Sequence, residues 1–297
     1  MSQLSQVRPA TYRGKAAAGS GVRFVRRALL YVAFLLITFL VVLPLVWVVI
    51  TSLKTQDEYL HPAFRIMPEV LQWRNYSEAL FEHSFLFFRK TANTLLIALP
   101  TMIMTVISSS LTGFGFARHR APLRNALFIL VLAMMMVPAM VTIIPQFILY
   151  SKLGLTNTYW PWYLQAVAGA PFNIFLFRQF FSTIPEELEE AAEIDGSSRF
   201  RIYWQIFMPN ALPAIAVVSI FHFQWAWGDW FTPRIYLNEE KSTLAILLTR
   251  GFANPKGYAR DAVTLAAVVV YMLPLIIMFM FAQKLILEGI VTTGIKG

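Results

Sequence analysis

Long apolar stretches alternate with shorter polar ones along the whole chain. Crossing the apolar core of a bilayer takes about 20 residues of α-helix. The stretches that are long enough cover residues 28–53, 91–114, 126–150, 160–181, 211–231 and 261–286. This pattern predicts an all-α, polytopic membrane protein with six transmembrane helices.

Some residues inside these spans predict departures from a plain helix. Pro138 and Pro145 interrupt the third span, and a proline inside a helix removes a hydrogen bond and kinks or breaks the helix. The second span carries small and hydroxyl residues that suit either close helix contact or a hydrated path. These residues are Thr105, Ser108, Ser109, Ser110, Thr112 and Gly113.

Residues 182–209, called here the acidic loop, connect the fourth span to the fifth. The acids in its first half are Glu186, Glu187, Glu189, Glu190, Glu193 and Asp195. Thr183 and Glu186 have the spacing of a capping box, Pro185 lies in the first turn, and apolar residues then recur at helical spacing. Gly196 follows, and glycine takes the left-handed conformation that ends many helices. We therefore predict a short helix that ends at a glycine corner.

A second short helix is predicted after that corner. Ser197 or Ser198 is in position to cap it, and Pro209 is expected to end it. Its aromatic residues fall at helical spacing on one face. They are Phe200, Tyr203, Trp204 and Phe207.

Other interpretations of the acidic loop are weaker. A hairpin at Asp195 and Gly196 needs alternating strand patterns on both sides, and none is present. A DNA-reading helix needs a basic face, whereas only Arg199 and Arg201 are available. A plain connecting loop stays open on composition alone, although a connection this long with structure of its own is often functional.

Charge and composition narrow the class of protein. The chain is 57% hydrophobic and its mean hydropathy is +0.58, which excludes an ordinary soluble domain. The net charge is +9, but the basic residues are scattered between apolar stretches, as in membrane loops rather than nucleic-acid-binding proteins. The absence of cysteine excludes disulfides and thiolate metal sites, and the absence of a P-loop motif excludes ATP binding through one.

The basic residues also predict the orientation. Residues 1–27 hold several arginines and no acid, and residues 118–124 form a second basic segment. Six spans place both termini on one side, and the positive-inside rule places that side in the cytoplasm. We predict a cytoplasmic N-terminal tail at 1–27 and a permease domain at 28–297, with the acidic loop in the cytoplasm.

The acidic loop resembles the EAA segment of ABC importer permeases. The likeness rests on Glu190, Ala191 and Ala192, followed by Gly196, Ile206 and Pro209. Residues 113–118, 138–158 and 283–297 are similar to other segments of the maltose-transporter type of carbohydrate importer permease. The resemblance implies that the loop docks into the ATP-hydrolysing subunit. The residues that it implicates are Glu187, Glu190, Ala191, Ala192, Asp195, Gly196, Ile206 and Pro209.

The same resemblance implies the type I ABC importer fold and a set of partners. These are a second homologous permease, two ATP-binding subunits, an extracytoplasmic sugar-binding protein and the lipid bilayer of a prokaryotic cytoplasmic membrane. ATP and Mg would be bound by the ATPase subunits, so the chain itself is expected to hold no catalytic residue, cofactor or metal. A secondary carrier is the alternative, but such carriers use internal repeats and intramembrane ion sites. The sequence offers no convincing repeat and few acids within the spans.

Two further regions are candidate sites. The loop at 232–260 contains Asn238, Glu239, Glu240 and Lys241, which could contact the binding protein or form a solvated connection. The end of the fifth span contains Trp227, Asp229 and Trp230, which are candidates for the transport pathway or for interfacial anchoring. The resemblance is weaker here, because Gly228 replaces the asparagine that is customary in the family.

Overall fold

The computed structural model describes residues 15–60, 66–82 and 85–294, with side chains from residue 24 to residue 286 of these ranges. Within them the chain is helical and contains no β-strand, which confirms the all-α prediction. The helices are α1 (Lys15–Ser52), α2 (Gln56–Leu60), α3 (Arg74–Phe81), α4 (Phe87–Arg118), α5 (Arg124–Met134), α6 (Ala139–Lys152), α7 (Trp160–Ala168), α8 (Pro171–Ser182), α9 (Glu186–Ile194), α10 (Arg199–Ile202), π1 (Tyr203–Phe207), α11 (Met208–Asn210), α12 (Leu212–Gly228), α13 (Phe231–Tyr236), α14 (Leu244–Arg250) and α15 (Asp261–Gly294).

The described helices include three that are long and apolar enough to cross a membrane: Phe24–Ser52 within α1, α4, and Asp261–Ile286 within α15. The count rises to five if each of two bent helix pairs is one span. These pairs are α5 with α6, bent by 96°, and Arg199–Asn210 with α12, bent by 79°. The helices therefore fit a protein that crosses the membrane several times. They give three to five spans, and the predicted number of six goes beyond them.

The helix boundaries at the two ends differ from the prediction. Helix α1 begins at Lys15, inside the stretch predicted as a tail, and residues 1–14 lie outside the described part of the chain. Helix α15 continues to Gly294, although the sequence predicts a span that ends at residue 286. Both helices thus extend into segments that hydropathy alone assigns to polar tails.

The third predicted span is broken, as expected from its prolines. Pro138 has an extended backbone and precedes the first residue of α6, so the break lies there. Pro145 lies within α6, which continues past it to Lys152. Only one of the two prolines therefore separates the helices.

The fourth predicted span is also divided, which the sequence analysis missed. Helices α7 and α8 are separated at Gly169, which has a φ of +76°, and Ala170, which is extended. Ser108 Oγ donates a hydrogen bond to the Ala166 carbonyl at 2.7 Å, and the Ala170 N–H donates to Ser109 Oγ at 3.1 Å. The serines of α4 therefore support this break, which favours the helix-contact interpretation of their positions.

Helix α4 lies at the centre of the described fold and packs against α7, α8 and α12. The helix approaches α8 closely at Gly113, where an added Cβ would lie 2.7 Å from the Cβ of Phe177. A glycine is needed here because any side chain would push the two helices apart. This contact fixes the end of α4 next to the acidic loop.

Candidate functional site

The acidic loop forms the predicted pair of short helices around a glycine. Helix α9 ends at Ile194, and Gly196 adopts a left-handed φ of +77°. The Gly196 N–H donates to the Glu193 carbonyl at 3.0 Å, and the Ser197 N–H donates to the Ala192 carbonyl at 2.9 Å. These two bonds form a Schellman motif, which satisfies the last carbonyls of α9 and turns the chain.

The caps of these helices differ in part from the prediction. Thr183 does not cap α9, because its Oγ1 donates back to the Phe180 carbonyl at 2.8 Å and so belongs to the end of α8. Pro185 occupies the N-cap position of α9, and it supplies no side-chain hydrogen bond to that helix. Ser198 caps the second helix, since its Oγ accepts the Arg201 N–H at 3.3 Å.

The second arm of the loop is not a simple α-helix. Helix α10 passes into the π-helix π1, and α11 follows with Pro209 inside it. Pro209 therefore does not end the arm; the chain bends by 79° after Asn210. A proline is tolerated in the first turn of α11, because the N–H that it lacks would have no partner inside a helix that starts there.

The aromatic residues of this arm divide between two surfaces instead of forming one stripe. Tyr203 and Phe207 are buried against Phe114 of α4, and the Tyr203 hydroxyl lies 2.8 Å from Ser110 Oγ. Phe200 and Trp204 are exposed. The π-helix changes the angular spacing that the prediction assumed, so it contributes to this division.

Arg118 anchors the acidic loop to α4. The sequence placed it in a basic segment and in the resemblance at residues 113–118, but did not predict this contact. Its side chain is 5% exposed and lies over the ring of Phe207, with its guanidinium carbon 5.0 Å from the ring centroid. It donates to the carbonyls of Phe181, at 2.7 Å, and Ile184. One arginine therefore binds both the end of α8 and the start of the loop.

Carboxylates of α9 surround the same arginine. Glu189 and Glu186 each lie 3.8 Å from Arg118, and Glu189 is buried. Arg199 of α10 pairs with Glu189 and, at 2.8 Å, with Glu193. The two short helices are therefore joined to each other and to α4 through Glu189, which the sequence analysis counted only among the loop's acids.

The residues implicated by the resemblance lie mostly on the outer surface of the loop. Ala192 and Ile206 are half-buried, and Ile206 packs against the buried cluster beneath the loop. The exposed ones are Glu187, Glu190, Ala191, Asp195, Gly196 and Pro209. Four large apolar side chains of the loop are exposed as well, namely Leu188, Ile194, Phe200 and Trp204, with Ile194 87% exposed.

The 238–241 segment is held by a buried lysine at the opposite end of α4. Lys90 is 1% exposed, and its Nζ donates to Ser242 Oγ at 2.7 Å and to the Glu239 carbonyl. Glu239 also pairs with Arg250, and this hydrogen bond is the main reason that the pKa of the Glu239 carboxyl lies below its usual value. Lys241 donates to the Asn157 carbonyl at 2.8 Å.

The faces of this segment that remain exposed are polar. Asn238, Glu239 and Glu240 are exposed, and Glu240 pairs with Arg89. A segment held by so many side chains is an ordered surface rather than a free connection.

The three pathway candidates occupy different environments. Trp227 is buried, stacks on Tyr271 and donates from its indole N–H to the Tyr271 carbonyl at 3.1 Å, so its side chain belongs to the packing of α12 on α15. Asp229 accepts the N–H groups of Phe231 and Thr232 and thereby turns the chain into α13. Trp230 is exposed. Of the three, Trp227 is the one whose placement does not fit a pathway wall.

Comparison with known proteins gives a consistent result. Residues 106–291 match the model of a family described as "Binding-protein-dependent transport system inner membrane component". A probable ABC transporter permease protein of Pyrococcus horikoshii is 32% identical and covers 86% of this chain and 92% of its own length. The arabinooligosaccharides transport system permease protein AraQ of Bacillus subtilis is 32% identical over 92% of this chain and 97% of its own.

A solved structure supports the fold. One chain in the crystal structure of a bacterial ABC transporter involved in the import of the acidic polysaccharide alginate superposes with a TM-score of 0.75. It is 21% identical and covers 93% of this chain and 99% of its own length.

Proposed function

The chain belongs to the family of binding-protein-dependent transport system inner membrane components, and we propose that it is the permease subunit of an ATP-driven carbohydrate importer. The observation that carries the mechanism is the acidic loop. It presents Leu188, Ile194, Phe200 and Trp204 to the outside, yet it is fixed to α4 by Arg118. Exposed large apolar side chains on a loop that also exposes carboxylates fit a protein partner better than water.

In this proposal the partner is one of two ATP-binding subunits. Glu187, Glu190, Ala191 and Asp195 would meet its docking cleft, and Ile194 would be buried there. Movement of the ATPase pair would displace α9, and Arg118 would transmit the displacement to α4 through the Phe181 and Ile184 carbonyls. Because α4 packs on α7, α8 and α12, such a displacement would change the arrangement of the spans. The chain itself breaks no bond in the solute.

The substrate class follows from the relatives. They include permeases for arabinooligosaccharides, for maltodextrin and for diacetylchitobiose, which share only their carbohydrate nature. We infer that the solute is an oligosaccharide, delivered by an extracytoplasmic binding protein. A second homologous permease would complete the pathway.

For the topology we propose six spans, with α5 and α6 as the third and α7 and α8 as the fourth. Both termini and the acidic loop would lie in the cytoplasm. Reporters placed after Glu69 and after Glu239 should then be accessible from outside, and one placed after Gly297 should not. Access to Glu239 from the cytoplasm would contradict the proposed orientation.

The test of the function uses the importer reconstituted with its ATPase and its partner permease. Uptake of a neutral oligosaccharide should require ATP and should persist when ion gradients are collapsed, whereas a secondary carrier would show the reverse.

Ile194→Ser should reduce co-purification of the ATPase, because it removes most of an exposed apolar contact. Leu123→Ser is the matched control, since Leu123 is also exposed and follows α4 but lies outside the acidic loop. Equal loss of ATPase with both variants would contradict the docking role.

A further inference from the structure

A cavity of about 380 Å³ lies between α4, α7, α8 and α12, level with the middle of α4. This volume is within the range of small-molecule sites, about 300–1,000 Å³. Its walls include Thr105, Trp162, Asn173, Phe221, His222 and Trp225, and its described lining residues include no aspartate, glutamate, lysine or arginine. None of these residues belongs to the acidic loop or to the 238–241 segment.

Two polar groups of the wall have no partner within the described part of the chain. Thr105 Oγ1 and His222 Nε2 are buried and accept or donate no hydrogen bond there. Asn173, which is only 6% exposed, adds a side-chain amide to the same wall. Buried polar groups normally find partners. Two unpartnered groups around one cavity, Thr105 Oγ1 and His222 Nε2, point to hydrogen bonding with something that enters it.

Thr101 shows that this arrangement is not general for α4. It lies one turn before Thr105, is equally buried, and donates from its Oγ1 to the Ile97 carbonyl at 2.7 Å. A buried threonine of this helix can therefore satisfy its hydroxyl on its own backbone. Thr105 instead leaves its hydroxyl unpaired at the cavity wall.

The break between α7 and α8 opens onto the same cavity, with Gly169, Ala170 and Pro171 in its wall. In a continuous helix the N–H of residue 171 would donate to the Val167 carbonyl. Pro171 has no N–H, so it cannot make that hydrogen bond. Irregular backbone at membrane depth occurs where it is covered by protein or lines a hydrated cavity. Broken helices of this kind form the solute sites of many transporters.

Aromatic faces complete the chemistry. Phe221 and Trp225 of α12 expose about half of their surfaces, and Trp162 lies buried in the wall. Aromatic faces stack on the C–H faces of sugar rings, while a hydroxyl, an amide and an imidazole can bond with ring hydroxyls. The neighbouring cavity shares Phe221 and Trp225, and neither cavity has a lysine or arginine among its described lining residues to pair with a carboxylate.

We propose that this cavity binds one neutral glycosyl unit of the solute during transport, with Thr105, Asn173 and His222 as its hydrogen-bonding groups. The proposal rests on the carbohydrate import proposed above. It assigns a substrate site to this permease chain itself, apart from any site on the binding protein or the partner permease.

The first test compares Thr105→Val with Thr101→Val in the complete importer, with maltotriose and arabinotriose as the probes. Thr105→Val should raise the KM of uptake roughly three- to tenfold, because one hydrogen bond to the solute is lost. Thr101→Val should leave KM within about twofold, because its hydroxyl bonds only to its own helix. Equal KM values for both variants would overturn the assignment of Thr105.

The second test uses the absence of cysteine from the chain. Ala170→Cys places a thiol in the cavity wall, and Ala168→Cys places one two residues earlier, outside the wall. A transported neutral trisaccharide should slow maleimide labelling of the thiol at position 170 severalfold without affecting the thiol at position 168. A galacturonate trimer should not slow either reaction.

Each outcome of the labelling test has its own meaning. Uptake of a neutral trisaccharide without protection at position 170 would overturn the site alone. Protection by the galacturonate trimer would overturn the neutral character of the site. Failure of every saccharide to be taken up by the unsubstituted importer would overturn carbohydrate import, and the site with it.

Discussion

Helix α4 carries one buried cation near each end, and the two cations hold different kinds of surface. Lys90 and Arg118 are separated by about 42 Å along the helix axis. Arg118 binds the acidic loop, whose outer face exposes apolar side chains. Lys90 binds the 238–241 segment, whose outer face is polar. The same construction therefore supports two surfaces that are suited to different partners.

The choice of cation follows from its position. Arg118 lies at the C-terminal end of α4, where the helix dipole favours positive charge, and its planar fork binds two carbonyls at once. Lys90 lies in the first turn, where the dipole is unfavourable. It is stabilised instead by the Glu239 carbonyl, the Glu239 carboxylate and the Ser242 hydroxyl.

The surfaces themselves indicate how long each contact lasts. Apolar side chains such as Ile194 gain free energy from being covered, as in lasting subunit interfaces. Asn238, Glu239 and Glu240 stay hydrated when they are free, as suits a partner that binds and leaves. We therefore expect the acidic loop to hold an ATPase and the 238–241 segment to meet the binding protein in passing.

The largest expected effect comes from the glycine that turns the acidic loop. Gly196→Val should abolish uptake and release the ATPase, while the protein stays inserted and abundant. The left-handed backbone costs a side chain about 1–2 kcal/mol, which is enough to reorient α9 but too little to unfold the bundle. No atom of the described residues lies within 4 Å of the added Cβ, so the effect is one of backbone conformation.

Gly154 provides the matched control at the Lys90 end of the molecule. It follows α6 with a φ of +68°, forms the same pair of Schellman hydrogen bonds, and has no atom within 4 Å of an added Cβ. Gly154→Val should retain ATPase binding and most uptake. Equal loss of uptake and ATPase with both variants, at matched protein levels, would mean that strain alone explains the result.

A smaller but still large effect is expected from Arg118→Met. The substitution removes the donor to the Phe181 and Ile184 carbonyls and leaves Glu189 with Arg199 as its one ion-pair partner among the described residues, so the acidic loop should detach from α4. We expect uptake to fall at least tenfold and limited proteolysis to cut within residues 182–209. Arg120→Met, an exposed arginine of the same basic segment, should preserve both properties. A proteolysis pattern like that of the unsubstituted chain would contradict the anchoring role.

Local signals in the sequence predicted the turn and one cap of the acidic loop. They missed the contacts of the two buried cations, because those partners are distant in the sequence. The structure confirms the predicted glycine corner at Gly196 and the predicted cap at Ser198. Both could be predicted because they depend on residues that are neighbours in the sequence. Arg118 binds residues 63 and 66 positions away, and Lys90 binds one 149 positions away. Such partners are set by the packing of the spans. From the sequence alone, a basic residue beside an apolar stretch therefore indicates a charged loop, but not the distant residues that it binds.

The breaks show the same limit. Pro138 marks the division of the third span, because proline acts on its own helix. The division at Gly169 depends on Ser108 and Ser109 of another helix, which supply the hydrogen bonds that the break needs. The burial of Tyr203 and Phe207 likewise depends on another helix, because both rings pack against Phe114 of α4. The sequence of one segment does not show which residues of another helix will pack against it.

A moderate effect is expected when residues 238–241 are replaced by Gly-Ser-Gly-Ser. Stimulation of ATP hydrolysis by the binding protein should fall severalfold, because the polar surface and the Lys241 bond to Asn157 are lost. Basal hydrolysis should stay unchanged, since the acidic loop is untouched. The same replacement at residues 255–258, an exposed turn of the same long loop, should keep full stimulation. Full stimulation with both replacements would make the 238–241 segment a mere connection.

The smallest expected effect concerns pH at the Lys90 end. Pairing with Arg250 and Lys90 lowers the pKa of Glu239 in the folded chain below its ordinary value of 4.5. The pair therefore stabilises the fold above that value, and the contribution is lost as the pH falls through the lower, folded pKa. Because Glu239 is exposed, the contribution is that of a surface ion pair, about 0.2–1 kcal/mol. Between pH 6 and pH 3, Glu239→Gln and Arg250→Gln should each lose less thermal stability than the unsubstituted protein, measured on the purified complex. Equal losses in all three proteins would show that this ion pair does not stabilise the segment, and that Lys90 holds it through the Glu239 carbonyl and Ser242 alone.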